Sequence, residues 1–210
     1  MPKIPVKTVE RLSLYRRLLL EPQVQEKESI FSHELASMCN VTPAQVRRDL
    51  MLLEQSGNPR KGYTVSQLAG DISAILDPKG GVKLCLIGVG NLGRAILTYF
   101  MGRRPNLSIV AAFDRDETKV GRVIAGCRCY TMSELSNVVK SEGIEVGVLT
   151  VPGNEVQKVA DELVGQGVKG IVNFAPVPLR VPMDVFVEKI DITIAFEKTA
   201  FFARAMRKGT

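Results

Sequence analysis

The sequence predicts an α/β chain built as two domains and a helical tail. Residues 1–78 place apolar side chains at helical spacing, and after Leu76-Asp77-Pro78-Lys79-Gly80-Gly81 short apolar runs alternate with helical stretches. That alternation is the pattern of a doubly wound parallel sheet over residues 79–190, and a separate phenylalanine-rich segment fills 191–210. With 210 residues, 45% of them hydrophobic, each part is long enough to bury a core of its own.

Composition narrows the field before any motif is read. The 28 Lys+Arg against 22 Asp+Glu give a net charge of +6, which permits a polyanionic partner without requiring one. No run approaches the roughly 18 apolar residues of a membrane helix, and the N-terminus lacks an apolar secretory core, so a soluble, cytoplasmic protein is expected. Cys39, Cys85, Cys127 and Cys129 form no disulfide framework, and with His33 as the single histidine there is no four-ligand zinc pattern. The expectation is reduced thiols, no metal and no histidine-based catalysis.

In the first domain, Thr8 is placed to cap a helix through Val9, Leu12, Tyr15 and Leu19 to Glu21, stopped by Pro22. Ser32 is placed to cap a short helix carrying Leu35, Ala36 and Cys39. Thr42-Pro43 then reads as an N-cap followed by proline at the first helical position, starting a third helix from Pro43 to about Glu54. At 100° per residue Val46, Leu50 and Leu53 share one side of it. Ala44 and Arg48 fall opposite, flanked by Gln45, Arg47 and Met51.

Two helices joined by about three residues, the second presenting small, amide and arginine side chains near its start, have the helix-turn-helix geometry for a DNA major groove. Thr42, Ala44, Gln45, Arg47 and Arg48 are the candidate contacts; arginine can pair bidentately with guanine and glutamine with adenine. Taken alone, Arg47 and Arg48 could equally be a solvated face. The turn-rich Gly57-Asn58-Pro59-Arg60-Lys61-Gly62-Tyr63 supplies Arg60 and Lys61 as a wing that reaches phosphates, and a fourth helix carries Val65, Leu68, Ile72 and Ile75. Residues 1–79 hold eleven basic and nine acidic residues, so DNA affinity must come from local placement rather than bulk charge.

The second domain opens with the strand Val82–Ile87, which runs into Gly88-Val89-Gly90-Asn91-Leu92-Gly93 and then helical Arg94–Met101. A GxGxxG between a strand and a helix is the dinucleotide fingerprint: Gly88 for the tight turn, Gly90 for approach of a pyrophosphate, Gly93 for close packing of helix on strand. A second strand, Ile109–Phe113, ends in Asp114, whose carboxylate is placed to accept from ribose hydroxyls and repel a 2′-phosphate, although Arg115 beside it pulls the other way. Strands at 145–150 and 168–174 place Thr150, Val151, Pro152, Asn173, Phe174, Ala175 and Pro176 at or just beyond their carboxyl ends, where such sheets bind ligands. After a last strand, Val185–Ile190, three of the eight phenylalanines crowd into the terminal helix. It must bury them on its own domain or on a partner subunit, and the second fits a DNA-binding module that works as a two-fold dimer.

At this point the chain resembles the Rex family of redox-sensing transcriptional repressors over essentially its whole length. The resemblance is carried by Lys3-Ile4-Pro5, Arg11-Leu12-x-Leu14-Tyr15, Val41-Thr42-Pro43-Ala44-Gln45-Val46-Arg47-Arg48-Asp49-Leu50, GVGNLG, Phe113-Asp114, Leu149-Thr150-Val151-Pro152 and Asn173-Phe174-Ala175-Pro176. It implies a homodimer with winged-helix domains, Rossmann domains that bind NADH or NAD⁺, and domain-swapped C-terminal helices. It also implies binding to palindromic double-stranded operator DNA, released by NADH, at genes for fermentation, respiration and NADH reoxidation. Tyr99 resembles the family tyrosine near the nicotinamide, and Arg17 and Asp191 resemble a pair bridging the DNA-binding domain of one subunit to the Rossmann domain of the other. The segment Met51–Lys61 departs from the family pattern, and Ile192 stands where a larger residue can occur.

Two rivals are weighed. Against a dehydrogenase, no substrate domain follows the nucleotide-binding unit, no Tyr-x-x-x-Lys pair occurs and the single histidine, His33, lies in the helix-turn-helix segment, so no catalytic residue is assigned. The other keeps the DNA-binding head but uses the second domain for a different nucleotide, such as coenzyme A, since a GxGxxG turn recognises phosphate more than nicotinamide.

Overall fold

The computed structural model describes residues 4–53, 61–102 and 106–208. The chain divides into two compact units, 1–79 and 80–210, each described by itself.

The first unit contains α1 (Val6–Leu19), α2 (Pro22–Gln25), β1 (Ser29–Ile30), α3 (Ser32–Cys39), α4 (Pro43–Leu50) with a 3-10 turn over Met51–Leu53, β2 (Tyr63–Thr64) and α5 (Val65–Leu76). Leu12, Tyr15, Leu19, Leu35, Val46, Leu50, Leu68 and Ile72 form one core. The α3–α4 turn is Asn40-Val41-Thr42, with Asn40 in the left-handed region at φ 53°, a conformation Asn tolerates because its short amide can bond locally. Antiparallel β1–β2 pairs Ser29 with Thr64 and Ile30 with Tyr63, giving with α3 and α4 the winged-helix arrangement. The sequence pattern did not disclose β1, which is only two residues long. Glu54 and the wing residues Gly57 to Arg60 lie outside the described residues.

Several local expectations are corrected here. Thr8 lies inside α1, buried and accepting from Arg11 Nη2 at 3.1 Å, because α1 already starts at Val6 with Pro5 as its N-cap. Leu19 ends α1, and Pro22 opens α2 at a position where proline is tolerated rather than simply stopping a helix. Phe31, not Ser32, is the N-cap of α3, where Glu34 Oε2 accepts the Phe31 N–H at 2.8 Å. Val9 and Ile75, expected on buried faces, are exposed.

The second unit holds β3 (Val82–Ile87), α6 (Asn91–Phe100), β4 (Leu107–Phe113), β5 (Val123–Ile124), β6 (Cys127–Tyr130), α7 (Leu135–Glu142), β7 (Val146–Leu149), α8 (Val156–Gly165), β8 (Gly170–Asn173), β9 (Phe186–Lys189) and α9 (Ile192–Lys208). The sheet order is β5-β6-β4-β3-β7-β8-β9, parallel except where β5 meets β6. Without β5 this is the doubly wound dinucleotide-binding order, and the strand order reverses between β3 and β7. Alternating residues explain the two buried faces: Cys85 and Ile87 of β3 join Phe113 and Leu149 on one side, while Leu84 and Leu86 join Val89 and Leu97 on the other.

Helix α6 begins at Asn91 rather than Arg94, and α8 begins at Val156 rather than Asn154. The β5–β6 hairpin turns through Ala125 and Gly126, both at positive φ. Cys127 and Cys129 sit buried in β6, and all four cysteines are free. Along α9, Ile194, Phe196, Phe201, Phe202 and Met206 are all more than half exposed, so this chain leaves its apolar side chains uncovered. Among the described residues no helix is long and apolar enough to cross a membrane, and no group of three or more His, Cys, Asp or Glu side chains could hold a metal.

Candidate functional site

The carboxyl ends of β3, β4 and β7 frame a cleft of about 300 Å³ at the point where the strand order reverses. Three glycines shape it in different ways. Gly88 has φ 97°, and a Cβ there would lie 2.8 Å from the Thr150 carbonyl oxygen. At Gly93 a Cβ would lie 2.2 Å from the Gly88 carbonyl oxygen, so any side chain would push α6 off β3. Gly90 has an ordinary φ of −81° and open space where its Cβ would be. It is the N-cap of α6, whose first N–H groups lack intrahelical acceptors, so that open space is where an anion would be held.

Thr150 fastens the loop across the switch point, its Oγ1 donating to the Gly88 and Ile87 carbonyl oxygens at 2.6 and 3.1 Å. Asp114, 8% exposed, accepts the Val89 N–H at 2.7 Å on Oδ2 and the Asp116 N–H at 2.9 Å on Oδ1, and Lys119 Nζ lies 3.0 Å from Oδ2. Burial pushes its pKa up, but the Asp116 N–H, the Lys119 ammonium and the Val89 N–H together hold it below the usual carboxylate value. Oδ1 keeps a lone pair for one more donor, such as a ribose hydroxyl. Opposite, Arg115 pairs with Glu155 at the edge of the cleft.

The cleft brings together Gly88, Gly90, Asp114, Thr150, Val151 and Pro152 of the predicted set. Val89 contributes its N–H to Asp114. Asn91, Leu92 and Gly93 belong to the start of α6, outside the cleft lining, and Tyr99 is an exposed residue of that helix edge-on to Phe100. Asn173 is fully buried, donating from Nδ2 to the Val177 carbonyl at 2.8 Å and accepting the Ala175 N–H at 2.9 Å. It fixes the Phe174-Ala175-Pro176 loop, and Phe174 packs into the core beside Val89. Lys119 and Glu155 escaped sequence reasoning. Lys119 had a readable signal, a cation five residues beyond the strand-end aspartate.

In the first unit, Thr42 Oγ1 accepts the Gln45 N–H at 3.2 Å and caps α4, and Ala44, Arg47 and Arg48 are exposed while Val46 and Leu50 are fully buried. Arg47 Nη1 reaches Ser32 Oγ at 3.2 Å. Lys61 is exposed, and Arg60 lies outside the described residues. Beneath the helix is a network that sequence reasoning missed. Asp49, 2% exposed, takes a two-point bond from Arg11 (Nε to Oδ2 at 2.6 Å, Nη2 to Oδ1 at 2.7 Å), the Tyr15 hydroxyl at 2.9 Å and the Gln45 amide at 2.9 Å. Burial alone would raise the Asp49 pKa; Arg11, Tyr15 and Gln45 bring it below its ordinary value. The available signal was a carboxylate three residues after Val46, on the buried side of α4, where a charge requires a partner.

Of the remaining pair, Arg17 is exposed on α1. Asp191 precedes α9, accepts the Ile194 N–H at 3.1 Å and pairs with Lys189 at 3.1 Å, and these bonds lower its pKa.

A helix-turn-helix unit in one chain with a doubly wound nucleotide-type unit defines a DNA-binding transcriptional regulator with a ligand cleft. Proteins named "Redox-sensing transcriptional repressor Rex" from Geobacillus sp. (strain WCH70) and Lactobacillus acidophilus are 39% and 38% identical to it, over 96% and 95% of this chain and 93% and 95% of theirs. The chain belongs to the Rex family of redox-sensing transcriptional repressors, which are not enzymes. The crystal structure of RSP, a Rex-family repressor, in complex with beta-NAD⁺ and operator DNA is similar with a TM-score of 0.89 at 28% identity, covering 99% of this chain and 95% of that one. Its complex with beta-NADH gives 0.86 at 28% identity, over 99% and 97%. A family model described as "Putative DNA-binding protein N-terminus" matches residues 3–50, and one described as "CoA binding domain" matches 81–177.

Proposed function

We propose that this protein is a homodimeric repressor that binds operator DNA through α4 and is released when NADH fills the cleft. The observation that carries the reading is the cleft itself: a GxGxxG turn with open space at Gly90, a buried aspartate at the end of β4, and the reversal of strand order between them, in a chain that also presents Ala44, Arg47 and Arg48 on a capped helix. The residues fit a dinucleotide. The α6 N-terminus faces the pyrophosphate and Asp114 accepts a ribose hydroxyl, with Thr150, Val151 and Pro152 forming the wall beneath. Tyr99 and the Asn173-to-Pro176 loop flank the nicotinamide end in this reading. NAD⁺ carries one positive charge more on that ring than NADH, and an apolar surround penalises the charged form.

NADH acts as a switch only through unequal affinity for two dimer states. Arg17 of one subunit and Asp191 of the other pair in the DNA-competent state. Helix α9, apolar and uncovered in the single chain, is exchanged between the subunits and lies on the partner. Arg11, Tyr15 and Asp49 hold α4 so that Thr42, Ala44, Gln45, Arg47 and Arg48 meet the groove, with Arg60 and Lys61 on phosphates.

The test is a titration with NADH against competing NAD⁺, followed by nicotinamide fluorescence, which the absence of tryptophan leaves with little protein background. Preference for NADH, together with loss of operator binding on its addition, supports the reading. Equal affinity for the two, or operator binding indifferent to both, overturns it. The "CoA binding domain" match over 81–177 makes coenzyme A the second ligand to compete, and displacement of NADH by coenzyme A at equal concentration would favour that reading instead.

A further inference from the structure

The charges around Asp114 are not arranged as the strand-end aspartate alone suggests. A carboxylate there repels a 2′-phosphate on the adenosine ribose only while its own charge is uncompensated. Here Lys119 sits 3.0 Å from Asp114 Oδ2 and 3.3 Å from Asp116 Oδ2, and Asp114 is further occupied by two backbone N–H groups. Its field is therefore largely spent inside the fold. The next residue, Arg115, is 74% exposed at the same end of the cleft, and a guanidinium beside the ribose is the usual receptor for a 2′-phosphate, which it can bind bidentately. Read without its partner, this end of the cleft would accept NADPH.

Glu155 changes that outcome. It comes from the turn after β7, on the far side of the switch point, yet it lines the same cleft and takes Arg115 as its ion-pair partner. With Glu155 in place, three carboxylates (Asp114, Asp116, Glu155) face two cations (Lys119, Arg115), and a 2′-phosphate must displace a carboxylate to reach the guanidinium. We propose that Glu155 is the residue that sets dinucleotide specificity: by engaging Arg115 it removes the receptor for a 2′-phosphate and leaves a like charge in its path. An exposed pair of this kind adds little to stability, so its effect is on ligand choice.

This inference rests on the reading of the cleft as a dinucleotide site, and one experiment separates the two. NADH and NADPH are titrated by nicotinamide fluorescence into the full chain, Glu155→Gln, and Glu155→Gln combined with Arg115→Met. The natural chain is expected to prefer NADH. In Glu155→Gln the NADPH to NADH affinity ratio rises roughly tenfold or more, the scale of a removed like-charge contact, and the added Arg115→Met returns it toward the starting value. If NADH binds but Glu155→Gln moves the ratio less than twofold, or the double variant keeps the raised ratio, the role given to Glu155 is wrong while the cleft reading stands. If the natural chain binds neither dinucleotide, the cleft reading fails and the proposal fails with it.

Discussion

Each unit buries one carboxylate whose pKa is held below its ordinary value, and the two are built from opposite materials. Asp49 is held by side chains from distant parts of the chain, Arg11 and Tyr15 of α1, with Gln45 of its own helix. Asp114 is held mostly by its neighbourhood, the Asp116 N–H and Lys119, with the Val89 N–H from the glycine turn. The first arrangement locks two helices together and fixes the position of α4 against α1. The second shapes one loop and leaves carboxylate capacity facing a cleft. The same chemical group is a brace between helices in one unit and part of a cleft wall in the other.

Removing each carboxylate is the sharpest way to break that contrast, and Asp49→Ala has the largest expected effect. It strands a half-buried guanidinium and a fully buried phenol, and breaking a buried pair from one side costs about 3–5 kcal/mol. Urea unfolding should show that loss, with operator affinity falling in parallel. Asp114→Asn keeps the shape and most local bonds, so about 1 kcal/mol is expected, with the main loss in NADH affinity. Equal destabilisation by the two substitutions would mean that Asp114 is also a brace.

The glycines give the next largest contrast within the cleft itself. Gly93→Ala forces a Cβ to 2.2 Å from the Gly88 carbonyl oxygen, and overpacking of this kind costs about 1–3 kcal/mol. Gly90→Ala meets open space at an ordinary φ, so stability should change by less than about 0.5 kcal/mol, the usual range for a change without a structural cause. Its effect should appear in NADH affinity alone. Thermal unfolding of the two variants, set beside NADH titrations, checks both statements; a Gly90→Ala protein that binds NADH normally would place the pyrophosphate elsewhere.

What the sequence disclosed follows the same division. The GxGxxG turn and Asp114 were readable because glycine at fixed offsets has few structural alternatives between a strand and a helix, and the Thr42-Pro43 start of α4 was readable because cap chemistry is local. Asp49 was quoted only as part of a motif, since its meaning lies in Arg11 and Tyr15, 38 and 34 residues away. Glu155 was hidden for the same reason: its partner Arg115 is 40 residues distant, and nothing in spacing joins them. The two-residue strands β1, β2 and β5 were too short to show a period, and the caps of α1 and α3 slipped because serine and threonine are as acceptable in a first turn as at a cap. Asn173, expected beside the ligand, spends its amide on its own loop.

Acid and alkali test the brace at both ends. The folded pKa of Asp49 lies below its unfolded value near 3.9, so its stabilisation is present above about pH 4 and is lost as pH falls through the folded value. Tyr15 is shifted the other way, raised by burial and by its bond to Asp49, so its contribution is complete below about pH 10 and is lost as pH rises toward the folded value. Stability measured against pH should therefore fall at both extremes in the natural chain. Tyr15→Phe should flatten the alkaline limb, and Asp49→Asn the acid limb, each by a smaller amount than the loss from Asp49→Ala.

The thiols carry the smallest expected effect and compare the units once more. Burial pushes Cys85 up to about 12 and Cys127 up to about 11, and it also raises Cys129. At pH 8 a thiol of pKa near 11 is ionised in only about one molecule in a thousand, and the thiolate is the reactive form. Cys39, partly exposed in the first unit, is also raised by burial, which the nearby Arg17 charge offsets only in part, so its greater exposure is what sets it apart. Alkylation of the native chain at pH 8, read by mass spectrometry of peptides, should label Cys39 first and the three sheet cysteines only on unfolding. NADH titration after that labelling should be unaltered, because Cys39 belongs to the DNA-reading unit. Rapid native labelling of Cys127 or Cys129 would instead mean that β6 opens readily, and since β6 pairs with the strand that ends in Asp114, the cleft would then be held less firmly than the brace under α4.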